Sequence, residues 1–120
     1  MRENRKSPRF TFHSPPRALI EGISGGETVL LDISVTGCRV ACDFIPNVKM
    51  DSKYIINIIP EKEAHIGSFT LTANSIWIRK AEFSCEIGFF ILKSPEGKLF
   101  ERYVDYLDWR TSKNAGTKDE

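Results

Sequence analysis

Glu27-Thr28-Val29-Leu30-Leu31-Asp32-Ile33, then Ser34-Val35-Thr36-Gly37, then Cys38-Arg39-Val40-Ala41-Cys42-Asp43-Phe44: two extended runs joined by a tight turn. Val, Leu and Ile crowd the first run, and such side chains suit a pleated, half-buried surface. Ser34 to Gly37 breaks the pattern before the second run resumes it. Successive side chains in a strand point to opposite faces. Asp32 and Ser34 are therefore expected on one face, with Leu31, Ile33 and Val35 on the other, toward a core. Cys38, Val40 and Cys42 read as one inward face of the next strand. Gly37 would allow a positive φ where the chain turns back. The segment is a β-hairpin whose rim carries the polar pattern Asp32-x-Ser34-x-x-Gly37.

Further strands follow on both sides. Arg17 to Ile23 reads as a first strand, and Gly22 with Ser24-Gly25-Gly26 marks a hairpin turn into the Glu27 to Ile33 strand. Lys53 to Ile59 is closed by Pro60, and Phe69 to Lys80 and Glu82 to Leu92 are long β-type runs around a short turn. The spacing predicts a mainly β fold, a small six-stranded antiparallel β-barrel, because closure removes exposed strand edges. Ser94-Pro95 reads as an N-cap with Pro at the first helical position. Leu99, Phe100, Tyr103, Val104 and Leu107 then give a C-terminal amphipathic helix one apolar face, which should cover part of the barrel. Gly97 weakens its first turn by about 1 kcal/mol relative to Ala. Three regions are expected: a flexible basic arm at 1–16, barrel and helix at 17–110, and a disordered polar tail at 111–120.

Composition restricts the function classes. Hydrophobic residues are 41% and charged residues 28% of 120, which permits one packed domain. The net charge of +1 says little, but its distribution says more. Residues 1–17 carry Arg2, Arg5, Lys6, Arg9 and Arg17 against Glu3 alone, a net +4, which leaves −3 on the remainder. A basic arm on a mildly acidic body suits an anionic partner. Cys38, Cys42 and Cys85 are odd in number and scattered, so neither a disulfide framework nor a zinc site is expected, and a reducing cytoplasm is the simpler setting. The charged N-terminus is not read as a signal peptide, and no apolar run is long enough to span a bilayer. No nucleophile elbow, H-E-x-x-H or Walker loop is present, so the chain is not read as an enzyme. Glu61, Glu63 and His65 are expected in a solvated loop.

Arg5-Lys6-Ser7-Pro8-Arg9 precedes the hairpin as an Arg-x-x-x-Arg. This pentad and the Asp-x-Ser-x-x-Gly turn are each weak signals, but far more specific in this order around a hairpin. With Ile87-Gly88-Phe89-Phe90 and the closing helix, the chain resembles the PilZ family from about Asn4 to Trp109. The resemblance implies a barrel that binds cyclic di-GMP, a bacterial second messenger, on its outer surface. It implies Arg5, Arg9, Asp32, Ser34 and Gly37 as the binding residues, with Lys6 where a further arginine often stands. An aromatic or basic residue beside the ligand in some members points to Trp77 and Arg79.

Physical chemistry agrees with that assignment. A guanidinium meets guanine O6 and N7 bidentately, and stacks on purine faces as lysine does not. Pro8 stiffens the chain before Arg9. Ionised Asp32 is a pure acceptor, suited to the guanine N1–H and amino group, and Ser34 can donate to an oxygen. Asp and Ser also readily bond their own backbone in turns. Ser75, Trp77 and Arg79 should share an outer face, with Ile76 and Ile78 buried. Trp77 could then stack on a base.

The expectation is a non-catalytic cyclic di-GMP receptor, without a cofactor, whose arm orders on the ligand and signals to a protein partner. Two alternatives stand beside it: a PilZ-like protein-interaction module that does not use the nucleotide, and a single-stranded nucleic-acid-binding barrel. The second is disfavoured because the basic surplus is confined to the arm.

Overall fold

A computed structural model describes residues 15–119, with side chains described up to Ser112. Arg5, Lys6 and Arg9, and with them nearly all of the arm expected at 1–16, lie outside the described residues.

The strands are β1 (Arg17–Ile20), β2 (Thr28–Ile33), β3 (Gly37–Cys42), β4 (Lys53–Ile59), β5 (Phe69–Lys80) and β6 (Cys85–Lys93), followed by α1 (Gly97–Asp119). They close into a barrel in the order β1-β2-β3-β6-β5-β4, with every neighbouring pair antiparallel. The long β5 makes closure possible. Its first half pairs with β4 (Tyr54 opposite Ala73) and its second half with β6 (Ile78 opposite Ile87). The core is the inward row of each strand, among them Ile20, Leu30, Val40, Ile56, Leu71 and Ile87. Cys38, Val40 and Cys42 all face it, as the alternation predicts.

The apolar face of α1 does close on this core: Phe100, Tyr103 and Val104 are buried, and Leu99 and Leu107 pack partly against it. The rings of Phe100 and Tyr103 lie 5.8 and 5.9 Å from that of Phe69 on β5. The start of the helix differs from the predicted cap. Ser94 Oγ donates to the Thr70 carbonyl at 2.6 Å instead of bonding helical N–H groups. Glu96 Oε1 accepts from Thr70 N–H at 2.9 Å, and the Glu96 carbonyl receives the Phe100 N–H. The two side chains therefore tie the strand-to-helix joint to β5. At its other end α1 runs to Asp119, past the tail expected from Thr111. Once a helix is nucleated each added residue brings one hydrogen bond, so a polar segment without an apolar face can prolong it.

Of three register shifts between the strands, two overturn the simple alternation. Leu30 faces Val40 and Asp32 faces Arg39, so Leu31 is an extra residue in β2. Leu30 consequently belongs to the core, whereas Leu31 is 42% exposed and Val35 in the turn 62% exposed, contrary to the inward face predicted for them. Ile33 does pack against the core. In β5 Ser75 faces Phe89 and Trp77 faces Gly88, so Ile76 is the extra residue. Ser75 therefore points inward and is fully buried, while Ile76, predicted to be buried, is exposed. Ser75 Oγ donates to the Lys49 carbonyl at 2.5 Å and accepts from Ser52 N–H at 3.1 Å, pinning the connection before β4.

Glu61 corrects a further expectation. It is buried, not part of a solvated loop. Tyr103 Oη donates to its Oε1 at 2.6 Å, and Arg110 Nη1 donates to Oε2 at 2.8 Å. The triad fastens the loop after β4 to α1. Burial, and then the hydrogen bond to Glu61, hold the Tyr103 hydroxyl pKa well above the usual tyrosine range.

Candidate functional site

The β2–β3 turn is organised by Ser34. Its N–H donates to the Gly37 carbonyl at 2.8 Å, and its Oγ accepts from the Thr36 and Gly37 N–H groups, both at 3.3 Å. The turn role open to this serine is therefore realised. Both bonds use its acceptor side; its hydroxyl lies 3.5 Å from the Gly37 carbonyl, to which it donates, and 3.2 Å from Thr36 Oγ1, all on an exposed rim. Gly37 is needed for a reason other than the predicted one. Its φ is not in the positive range, which among the described glycines is confined to Gly22 and Gly25. A Cβ on Gly37 would instead stand 2.8 Å from the Phe89 carbonyl oxygen. The glycine lets the end of the hairpin lie tight against β6.

Asp32 stands beyond the Leu31 bulge, exposed and directly opposite Arg39. Arg39 Nε and Nη2 both reach Asp32 Oδ2, at 2.9 and 2.8 Å. This pair is the feature missed in the sequence, although a signal existed: Asp32 and Arg39 lie at equal distances from the turn, so simple hairpin pairing sets them face to face. The ladder continues across the strands. Arg39 Nη1 lies 3.7 Å from Glu86 Oε1, and Arg79 Nη1 lies 3.7 Å from the same oxygen. Arg79 in turn sits over the Trp77 ring, 5.3 Å from its centroid.

Trp77 occupies a seat made by Gly88. A Cβ on Gly88 would fall 2.2 Å from Trp77 Cε2, so the indole lies directly on glycine backbone. The Ile76 bulge turns Trp77 outward and the missing side chain on β6 gives it a floor. Asp32, Ser34, Gly37, Arg39, Trp77 and Gly88 line one open cleft of about 480 Å³ on the barrel wall. The structure thus brings together four residues singled out in the sequence, Asp32, Ser34, Gly37 and Trp77, and sets Arg79 beside them.

The cleft has the parts for binding a flat, polar, anionic molecule: an aromatic face, a carboxylate, a hydroxyl and a guanidinium. Burial and then the neighbouring Asp32 push the Cys38 thiol up to about 12, which keeps it protonated beneath the site. The family model for the PilZ domain matches residues 3–106, spanning the arm, the barrel and most of the apolar face of α1.

The chain belongs to the PilZ domain family.

PilZ domains are a family of cyclic di-GMP binding and effector domains, generally without catalysis. The matched span includes both motifs, Arg5 to Arg9 and Asp32 to Gly37. Comparison with curated proteins and with solved structures returns no match. Among the described residues no helix is long and apolar enough to cross a membrane.

Proposed function

We propose that this PilZ domain is a non-catalytic receptor for cyclic di-GMP, which it binds in the cleft between the β2–β3 turn and Trp77. The observation that carries the reading is the convergence of Asp32, Ser34, Arg39 and Trp77 on one cleft of a size suited to a nucleotide. Asp32 accepts from the N1–H and amino group of one guanine. Trp77 stacks on a base, and its glycine floor holds the ring at a fixed height. Ser34 donates its hydroxyl proton to a phosphate or base oxygen.

Arg5 and Arg9 complete the site from the arm by meeting O6 and N7 on the opposite guanine edge. The described chain begins at Pro15, and Pro15 and Pro16 line a second cleft that shares Asp32 with the first. Arg9 is six residues upstream of Pro15, a span of roughly 20 Å when extended, which gives the arm ample reach to Asp32. Ligand binding orders the arm, and the new surface is what a protein partner reads. Calorimetric titration with cyclic di-GMP tests the reading. Arg9→Ala should weaken binding roughly ten- to a hundredfold. An unchanged affinity would remove Arg9 from the site, and no binding by the wild-type protein would favour the interaction-module alternative.

A further inference from the structure

We propose that Glu86 is a positioning residue of the nucleotide site, which receives the Arg39 guanidinium when a guanine takes Asp32. The inference rests on the receptor reading above and adds to it a residue outside both sequence motifs.

The argument starts from lone pairs. A carboxylate oxygen has two principal acceptor directions. Both Arg39 contacts fall on the same oxygen, Asp32 Oδ2, at 2.9 Å from Nε and 2.8 Å from Nη2. The guanine Watson–Crick edge presents two parallel donors, N1–H and an amino N–H, and meets a carboxylate best with one donor on each oxygen. With Oδ2 already occupied twice, Asp32 has only Oδ1 to offer. Bidentate capture of guanine therefore requires Arg39 to give up at least one of its bonds.

A released guanidinium needs another acceptor nearby. Glu86 Oε1 meets that need. It is shielded from solvent and has no hydrogen-bond partner among the described residues. It already lies 3.7 Å from Arg39 Nη1, too far for a hydrogen bond but close enough for a small side-chain rotation to make one. Backbone movement is unnecessary, because β3 and β6 are paired on either side of Arg39, at Cys38–Phe89 and Val40–Ile87. In the ligand-free protein Glu86 is shared at equal distance by Arg39 and Arg79. On handover Arg39 takes the oxygen that the two arginines now share, and Arg79, itself exposed, turns to solvent. An oxygen without a hydrogen bond in the free protein gains one in the complex, which offsets the loss of the Arg39–Asp32 contact.

A double-mutant cycle in cyclic di-GMP affinity tests this on the full chain. Glu86→Gln keeps the shape and removes the charge, and should weaken binding on the order of tenfold. In an Arg39→Met background there is no guanidinium to receive, so the same change should alter affinity by less than about twofold. Wild-type affinity in Glu86→Gln, or an equal loss in both backgrounds, would overturn the proposal. The Arg39 Nε–H resonance gives a second readout that needs no substitution. It should shift on ligand saturation as the guanidinium turns from Asp32 toward Glu86, and an unmoved resonance in a saturated complex overturns the handover alone. Absence of any binding by the wild-type chain would overturn the receptor reading itself, a different and separable failure.

Discussion

Two arginine–carboxylate pairs in this barrel have the same short contact and opposite surroundings. Arg110 meets Glu61, and Arg39 meets Asp32, each at 2.8 Å. Glu61 is 2% exposed and also holds the Tyr103 hydroxyl, whereas Asp32 is 56% exposed and, among the described residues, bonded through one oxygen alone. An ion pair removed from water cannot exchange partners cheaply, since any unpaired state leaves a desolvated charge. An exposed pair exchanges with water and ligands at little cost. Burial therefore makes the first pair a fastening between the β4 loop and α1, and leaves the second able to exchange partners.

The hardest test of that contrast is Glu61→Ala. It strands the Tyr103 hydroxyl and deprives Arg110 of its carboxylate, so it should cost about 3 kcal/mol in denaturant unfolding. The low end of the range for buried pairs applies because Arg110 is itself 30% exposed. A loss no larger than that of an ordinary surface substitution would end the distinction drawn between the two pairs.

Alkaline pH probes the interior beneath the open site. Burial is the first cause of the raised thiol pKa at Cys38, to about 12, and at Cys42, to about 11, against 9.0 for a free thiol. The folded state keeps these protons while the unfolded chain releases them near 9, so between the two values the folded state binds more protons. Stability is therefore full below pH 9 and falls as pH rises through 9 to 12, by about 1.4 kcal/mol per unit for a fully shielded thiol. By pH 11 Cys38→Ala should show a fall smaller than wild type by about 2 kcal/mol. Parallel curves would mean that Cys38 does not carry the effect.

The hairpin at Ser34 to Gly37, the six strands and the apolar face of α1 were all readable, because hydrophobic alternation and turn chemistry are local. What the sequence could not convey was parity across a bulge. Nothing in Leu30-Leu31-Asp32 says which leucine is the extra residue; the register against Val40 and Arg39 decides it. The same holds at Ser75-Ile76-Trp77, where one inserted residue sends Ser75 into the core and Trp77 to the surface. Both of these bulges border the cleft, so the departures from simple alternation fall beside the candidate site. Glu61 was misjudged for a related reason. Charged residues, Lys62 and Glu63, follow it, and its partners Tyr103 and Arg110 arrive from a distant helix.

Gly88→Ala sharpens the comparison from the side of the open cleft. A Cβ there would displace the Trp77 indole, which is half-exposed and able to move outward. Stability should fall by about 1 kcal/mol, less than for Glu61→Ala, because the ring relaxes toward solvent, whereas loss of Glu61 leaves the buried Tyr103 hydroxyl without its acceptor. Cyclic di-GMP affinity should fall further, roughly tenfold, since the stacking face is no longer at its fixed height. Indole fluorescence in the ligand-free protein reports the displacement independently: a red shift is expected, and an unchanged spectrum would show that the glycine floor does not set the ring.

The smallest stability effect belongs to the exposed pair itself. Arg39→Met removes both contacts to Asp32 and the approach to Glu86, yet its denaturation midpoint should match wild type within the precision of the measurement. Asp32 is solvated without its arginine, and methionine keeps an apolar stem of similar length. Raising the salt concentration should likewise leave the difference between the two proteins at zero, since a contribution screened by ions would have to be present first. A midpoint drop approaching that of Glu61→Ala would make Arg39–Asp32 a structural clamp. A clamp of that strength could not release Asp32 to a guanine, because the nucleotide would then have to break the barrel's own fastening before binding.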